Sequence, residues 1–478
     1  MSFWTILFTA VISGFIGTLI LTPFIIKLGI KLDIVDHPGV RKIHKTPIPL
    51  LGGLAVFITV AILAPATDHF FIKSGLSFNR EWIALLGGSF IMIMLGFLDD
   101  RIGFGAKEKF IFQFGAAILA CLMGWRIESI SLPLIDGSIE LGLISIPFTV
   151  LVIVGTTNAV NMIDGMDGAA SGICLIAFAA CAYIFWYHQR IDYMIVSLLF
   201  TGSLLGFLVY NFNPAKIFLG DTGSLFLGYN LALFALKAPS LKTPDGEHFI
   251  NSVSLFVTIS ILFYPILDFT LAVIRRTAKG SSIFRPDKSH IHHKLLTYFS
   301  WNPKISVLFI YFLGLCGGVC GIMIFRRNEG GLLATALLYI GILLYIYKKF
   351  QYREAISEIT KLQKNKTKTL LHFQKFMDLK LELVQNVSEV EHLLQWVMEE
   401  NEIKGLAIRM DDKIIIQLGD EVLPEQTDIK FSLTGIKGTI YFQYINKEFY
   451  NAELERELCL QTICQNLNIV LSQIEIKQ

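Results

Sequence analysis

The chain has 478 residues, of which 53% are apolar and only 17% charged, and 41 Lys and Arg stand against 39 Asp and Glu. Mean hydropathy is +0.58, whereas a soluble protein of this length carries about 25% charged residues, so much of this surface faces something other than water. The composition excludes a disordered, collagen-like or nucleic-acid-coating chain, and a net charge of +2 leaves only local electrostatic effects.

A bilayer-crossing helix needs about 20 predominantly apolar residues, and about eleven such runs recur between residues 3 and 347. They centre near Ile12, Ile62, Met92, Leu119, Val152, Ala179, Leu204, Leu231, Phe263, Gly314 and Tyr339. The first is too long for a signal-peptide core and no cleavage pattern follows it, so it reads as an uncleaved span. The run near Val152 is short, and the one near Ile62 is interrupted by Pro65 and Asp68. Lys and Arg concentrate in one set of loops, among them Lys27, Lys31, Arg41, Lys42, Lys45, Arg101, Lys107, Lys109, Lys216, Arg275, Arg276, Lys279, Arg285, Lys288 and Lys294. The opposite set holds fewer, Lys73, Arg80, Arg126, Arg190, Lys237, Lys242, Arg326 and Arg327, so the positive-inside rule makes the first set cytoplasmic, with the N-terminus outside, and the pair Arg326 and Arg327 dissents. Cys121, Cys174, Cys181, Cys316 and Cys320 sit in apolar runs, and Cys459 and Cys464 have no ligand-spaced partners, so neither disulfides nor zinc are expected.

After Lys349 the composition becomes that of a soluble chain. Phe376, Leu379, Leu383, Val387, Val390, Leu394 and Val397 make one helical stripe suited to pairing with a second copy, which predicts a homodimer. Beyond Asn401 the period becomes two, in the segments 406–410, 414–418, 429–433 and 440–444, with a closing helix expected from about Tyr450. The expected architecture is an all-α polytopic membrane domain over residues 1–350, a helical linker or coiled coil over 351–400, and a small cytoplasmic α+β domain over 401–478. The last resembles the second half of a GAF domain.

Polar clusters lie where the apolar runs end. Gly96-Phe97-Leu98-Asp99-Asp100-Arg101 closes a helix with two adjacent carboxylates, which are unfavourable beside a membrane unless a cation or proton donor meets them. Asn158 to Gly168 places Asn158, Asn161, Asp164 and Asp167 at three-residue intervals among glycines such as Gly165, a cradle for a hard cation or a nucleotide. It is no calcium loop, because the glutamate at the twelfth position is missing. Phe218-Leu219-Gly220-Asp221-Thr222-Gly223-Ser224 opens a helix, where Asp221 either caps or holds magnesium while backbone N–H groups meet phosphate. His290-Ile291-His292-His293 lies in a strongly basic loop with Arg285 and Lys288, a better setting for phosphate than for zinc. Asp36 to Gly53, with Lys45 inside it, is a proline-stiffened connection.

One reaction, phosphoryl transfer, explains carboxylates for a metal, basic groups for phosphate and glycines for close approach on one face. The loops 36–53, 96–101, 158–168, 218–224 and 290–294 resemble, in order, those of the polyprenyl-phosphate N-acetylhexosamine-1-phosphate transferases, glycosyl transferase family 4. His290-Ile291-His292-His293 is similar to the undecaprenyl-phosphate N-acetylglucosamine-1-phosphate transferase branch, whereas the branch using UDP-N-acetylmuramoyl-pentapeptide has an uninterrupted His triplet. The soluble tail departs from the common bacterial members.

The resemblance implies a bacterial inner-membrane enzyme with a cytoplasmic active site. It joins a polyprenyl phosphate to the sugar phosphate of a UDP-N-acetylhexosamine and releases UMP. It assigns Mg2+, replaceable by Mn2+, to Asp221 and then Asn161, and the uracil to Phe218 with Asp167 and the Gly165 backbone. Asp164 and Lys45 join the substrate-binding set, and His290, His292 and His293 face the sugar phosphate with Arg285 and Lys288. Asp99 is the base proposed in such enzymes. A phosphate monoester with a second pKa of about 6 is already largely dianionic, however, so Asp99 and Asp100 have an alternative task in orienting Lys109. An ion-coupled transporter using Asp99, Asp164 and Asp221 is the competing class, disfavoured because these carboxylates lie at span ends.

Overall fold

Long apolar runs in a bilayer must satisfy their backbone internally, and here they do so as helices. The computed structural model describes residues 3–38, 46–67, 80–131, 138–240, 252–278, 290–299, 302–326 and 335–341, the strands between 403 and 444, and a few isolated positions. The chain divides into two units, residues 1–275 with 283–350, and residues 276–282 with 351–478.

The first unit opens with α1 (Phe3–Lys31), β1 (Val35–Asp36), β2 (Ile48–Pro49), α2 (Gly52–Thr67), α3 (Arg80–Ile102) and α4 (Ala106–Leu122). It continues through β3 (Ser129–Ser131), β4 (Ser138–Glu140), α5 (Ser145–Ile163), α6 (Ala169–Tyr187), α7 (Ile191–Asn211) and α8 (Gly220–Lys237). Then come β5 (Ser252–Ser254), α9 (Leu255–Ile261), α10 (Phe263–Ala278), which runs past Arg275, α11 (Ile291–Tyr298) and α12 (Pro303–Phe325). Among the described residues six helices are long and apolar enough to cross a membrane, or seven if α9 and α10, bent by 90°, count as one span. The expected count of about eleven is therefore not reached by this measure. With 16 and 17 residues, α2 and α4 are short, α8 carries Asp221, Asn230 and Lys237, and only part of the run near Tyr339 is described.

The outward side of α1 identifies its solvent. Trp4, Phe8, Ile12, Ile16, Ile20 and Phe24 recur every four residues and are exposed, while Ala10, Thr18, Thr22 and Ile25 are buried. An apolar exposed stripe over a partly polar buried one suits lipid rather than water. At the centre, Phe178 of α6 stacks on Phe200 of α7 with centroids 4.3 Å apart, and Phe234 of α8 meets Phe178 edge-on at 5.8 Å. One end of the bundle is tied by Glu81 of α3, which takes Lys237 Nζ at 2.8 Å and the Tyr193 hydroxyl, while its carbonyl accepts the Trp125 indole N–H at 2.8 Å. That junction joins the ends of α3 and α8 remote from Asp99 and Asp221, so the register between the two helices is set at both ends.

In the second unit, β6 (Ile403–Met410), β7 (Lys413–Gly419), β8 (Ile429–Leu433) and β9 (Gly438–Tyr444) form an antiparallel sheet in the order β7-β6-β9-β8. Leu406 pairs with Leu418 on one side and Phe442 on the other, and Ile408 with Ile416 and Ile440, so the alternating residues fall into register. The expected stripe over 376–397, apart from Leu394, and the helix beyond Tyr450 lie outside the described residues.

Candidate active site

The polar clusters gather at the bundle end opposite Glu81, because the C-terminal ends of α3 and α5 and the N-terminal ends of α4 and α8 meet there. Gly96 lets this happen: a Cβ on it would collide with the backbone of Asp221 and Thr222. Gly220, with φ +70°, makes the turn into α8, and a side chain there would strike the Leu50 carbonyl. The chain after β2 is pinned to the same turn, with Phe218 N–H donating to Pro49 O at 2.8 Å and Gly52 N–H to Phe218 O at 3.0 Å.

Asp221 is the hub. Its Oδ2 receives Lys109 Nζ at 2.6 Å and its Oδ1 receives Asn161 Nδ2 at 3.0 Å. Lys109 also bonds Asp99 Oδ2 at 2.6 Å, so one ammonium bridges two carboxylates from different helices. The other oxygen of Asp99 accepts the Phe104 N–H at 2.7 Å. Asn161 Nδ2 donates to Ser224 Oγ as well, at 2.8 Å. Asp100 points to the helix itself: Oδ1 accepts the Asp221 N–H at 3.0 Å, and Oδ2 accepts the Thr222 N–H at 2.9 Å and the Thr222 hydroxyl at 2.7 Å. It caps the first turn of α8 from another helix. Asp164, just past the end of α5, is held above the ordinary carboxylate range by burial and then by the charges of Asp221, Asp100 and Asp167.

The loop between α5 and α6 has its own anchors. Asp167 Oδ2 accepts Asn213 Nδ2 at 2.8 Å and the Ala215 N–H at 3.0 Å, tying it to the segment that leads into half-buried Phe218. Gly165 is exposed, and the Gly168 carbonyl accepts the Tyr311 hydroxyl of α12 at 2.7 Å. His290 is buried at the start of α11, with Nδ1 3.0 Å from Asp268 Oδ2. His292 and His293 follow in α11, but their side chains, with Arg285, Lys288 and Lys45, lie outside the described residues.

Two residues not singled out from sequence, Gln113 and Asp268, hold motif residues in place. Gln113, one turn beyond Lys109 on α4, accepts Asn158 Nδ2 at 2.6 Å, which fixes Asn158 one turn before Asn161. Asp268 is a lone carboxylate in an apolar run, and that isolation was the available signal. Among the described residues no three or more His, Cys, Asp and Glu side chains cluster to hold a metal. Asp221 and Ser224 bring oxygens to one point, where the Asn161 amide presents Nδ2 to both.

A lipid-facing helical bundle with this oxygen-rich, lysine-bridged site at one end defines a membrane phosphotransferase. The chain belongs to glycosyl transferase family 4, whose model matches residues 82–238. It is 37% identical over 369 residues to a probable undecaprenyl-phosphate N-acetylglucosaminyl 1-phosphate transferase of Bacillus subtilis, covering 77% of this chain and 95% of the relative. It is 31% identical to a decaprenyl-phosphate N-acetylglucosaminephosphotransferase of Mycobacterium leprae, over 65% and 82% of the two chains. Against a phospho-N-acetylmuramoyl-pentapeptide-transferase of Halalkalibacterium halodurans it is 30% identical, over 63% and 93%. The higher identity and the interrupted His motif agree in placing it with the N-acetylglucosamine branch.

Proposed function

We propose that this protein transfers N-acetylglucosamine 1-phosphate from UDP-N-acetylglucosamine to undecaprenyl phosphate, releasing UMP, at the cytoplasmic face of a bacterial inner membrane. The observation that carries the reading is the convergence of Asp99, Lys109 and Asn161 on Asp221 at one end of a lipid-facing bundle. A lipid phosphate reaches that end from the bilayer and a nucleotide sugar from water. The loop lysines and arginines support the cytoplasmic side. Eleven spans follow if α9 and α10 count as one span and the short helices α2, α4 and α8, with the apolar run near Tyr339, also cross. The apolar stripe of 376–397 supports a homodimer through the tail.

Two anionic phosphates must meet for in-line attack, so positive charge has to offset their repulsion. The donor chemistry fits Mg2+, with Asp221 and Asn161 as the residues that would hold it and Mn2+ as a substitute. Asn161 presents Nδ2 to Asp221, so its carbonyl joins the shell only when the amide turns over. When bound, the ion supplies charge neutralisation and polarises phosphate oxygens. Lys109 supplies a fixed positive charge beside Asp221, and Asp99, with both oxygens engaged, aims that ammonium rather than removing a proton. Asp100 holds the first turn of α8 so that Asp221 faces the others. Phe218 and the Asp167 loop form the surface assigned to uracil, with Asp164 and Gly165 beside it, and the motif of His290, His292 and His293 is assigned to the sugar phosphate.

The test is purified protein with magnesium, undecaprenyl phosphate and a panel of UDP-N-acetylhexosamines, read by mass spectrometry of the lipid. The expected product is undecaprenyl-pyrophosphoryl-N-acetylglucosamine. Preference for another hexosamine overturns the sugar, and absence of any lipid product overturns the reaction.

A further inference from the structure

Asp268 lies on α10 with no solvent exposure, among buried Leu262, Phe263, Tyr264 and Leu267. A carboxylate in such surroundings is strongly unfavourable unless hydrogen-bond donors meet it. Both of its oxygens are engaged by the start of the His motif: Oδ1 accepts the Ile291 N–H at 2.8 Å, and Oδ2 lies 3.0 Å from His290 Nδ1. We propose that Asp268 is a positioning residue for the transferase, which fixes His290 in its Nδ1–H tautomer and anchors the first turn of α11, so that His290 acts through Nε2. The inference rests on the transferase reading and assigns the motif its internal support.

A peptide N–H only donates, so Oδ1 is an acceptor, and an ionised carboxylate accepts at both oxygens. With Asp268 ionised, Nδ1 carries the hydrogen toward Oδ2. Nε2 is then an acceptor while the ring is neutral. A ring turned the other way does not present that acceptor. The same device stands at α8, where Asp100 from another helix accepts the N–H groups of Asp221 and Thr222. Each motif helix thus starts on a carboxylate that arrives from elsewhere in the fold, 22 residues away for Asp268 and about 120 for Asp100.

Asp268→Asn separates the two tasks. Its Oδ1 still accepts the Ile291 N–H, but its Nδ2 must donate to Nδ1, which forces the ring hydrogen onto Nε2. The experiment uses full-length protein in detergent with 15N-labelled histidine at about pH 8, the His290 signals being identified by their loss in His290→Gln. Wild type is expected to show Nδ1–H and Asp268→Asn to show Nε2–H. The variant should also lose at least about 10-fold in kcat, with the KM for UDP-N-acetylglucosamine changed less than about threefold. An Nε2–H ring in wild type overturns the proposal whether or not the variant folds. Unchanged kcat in a folded Asp268→Asn with a reversed tautomer overturns it too. A wild-type protein that shows the Nδ1–H ring yet makes no lipid product overturns the transferase reading instead.

Discussion

Asp100 offers a test in which two substitutions at one position give different answers depending on its job. Its carboxylate accepts three hydrogen bonds from the first turn of α8, two from backbone N–H groups and one from the Thr222 hydroxyl. Asp100→Ala removes all three and leaves those donors without this acceptor. At about 1 kcal/mol each the loss is about 3 kcal/mol. If that energy serves to hold Asp221 in place, kcat/KM falls by about 100-fold. Asp100→Asn keeps an oxygen toward Thr222 and turns its amide toward the Asp221 N–H, so it loses about one bond and about fivefold in kcat/KM. Initial rates with radiolabelled UDP-N-acetylglucosamine and undecaprenyl phosphate, paired with thermal unfolding in detergent, measure both. Equal losses of more than about 1,000-fold in the two variants, with unfolding unchanged, would refute the capping argument and put the carboxylate against the reacting atoms.

The clusters were legible because polar residues in an apolar chain need a reason: Asp99, Asp100, Asn161 and Asp221 stand out against their surroundings, and the structure brings them to one end of the bundle. What the sequence could not assign was the partnership. Lys109 and Asp221 lie 112 positions apart and meet only because α3, α4 and α8 pack together, so spacing alone carries no trace of the bridge. Asp100 looked like its neighbour Asp99, yet the helix turn between them sends one to Lys109 and the other to the α8 backbone. The strands of the tail were readable from period-two alternation, and their register follows it. The bend between α9 and α10 was not read from hydropathy, which does not record direction, although Pro265 in the first turn of α10 is the residue that could have marked it.

The remaining predictions address the other parts of the site. Asp221→Ala should abolish turnover in a folded protein, and near-normal turnover at saturating magnesium would remove it as a ligand. Asp99→Asn should lose activity evenly across pH, because it misdirects Lys109, whereas recovery toward high pH would restore Asp99 as a base. Gly96→Ala should displace the start of α8 and abolish activity, while Gly87→Ala on the same helix, where a Cβ meets nothing within 4 Å, should be tolerated. Equal tolerance at both positions would contradict the close approach of α3 and α8. Every residue assigned to the reaction precedes residue 294, and residues 351–478 fall in the second unit, so deleting 352–478 should leave lipid product measurable. The stripe of 376–397 has an apolar side that a second copy can cover, so the truncated protein should have about half the mass of the full-length assembly per detergent-corrected particle, allowing for the missing segment. Light scattering decides between the outcomes: the same number of protomers with and without the tail removes the dimer argument. Loss of turnover in a truncation that still unfolds cooperatively would show instead that the tail acts on the membrane domain.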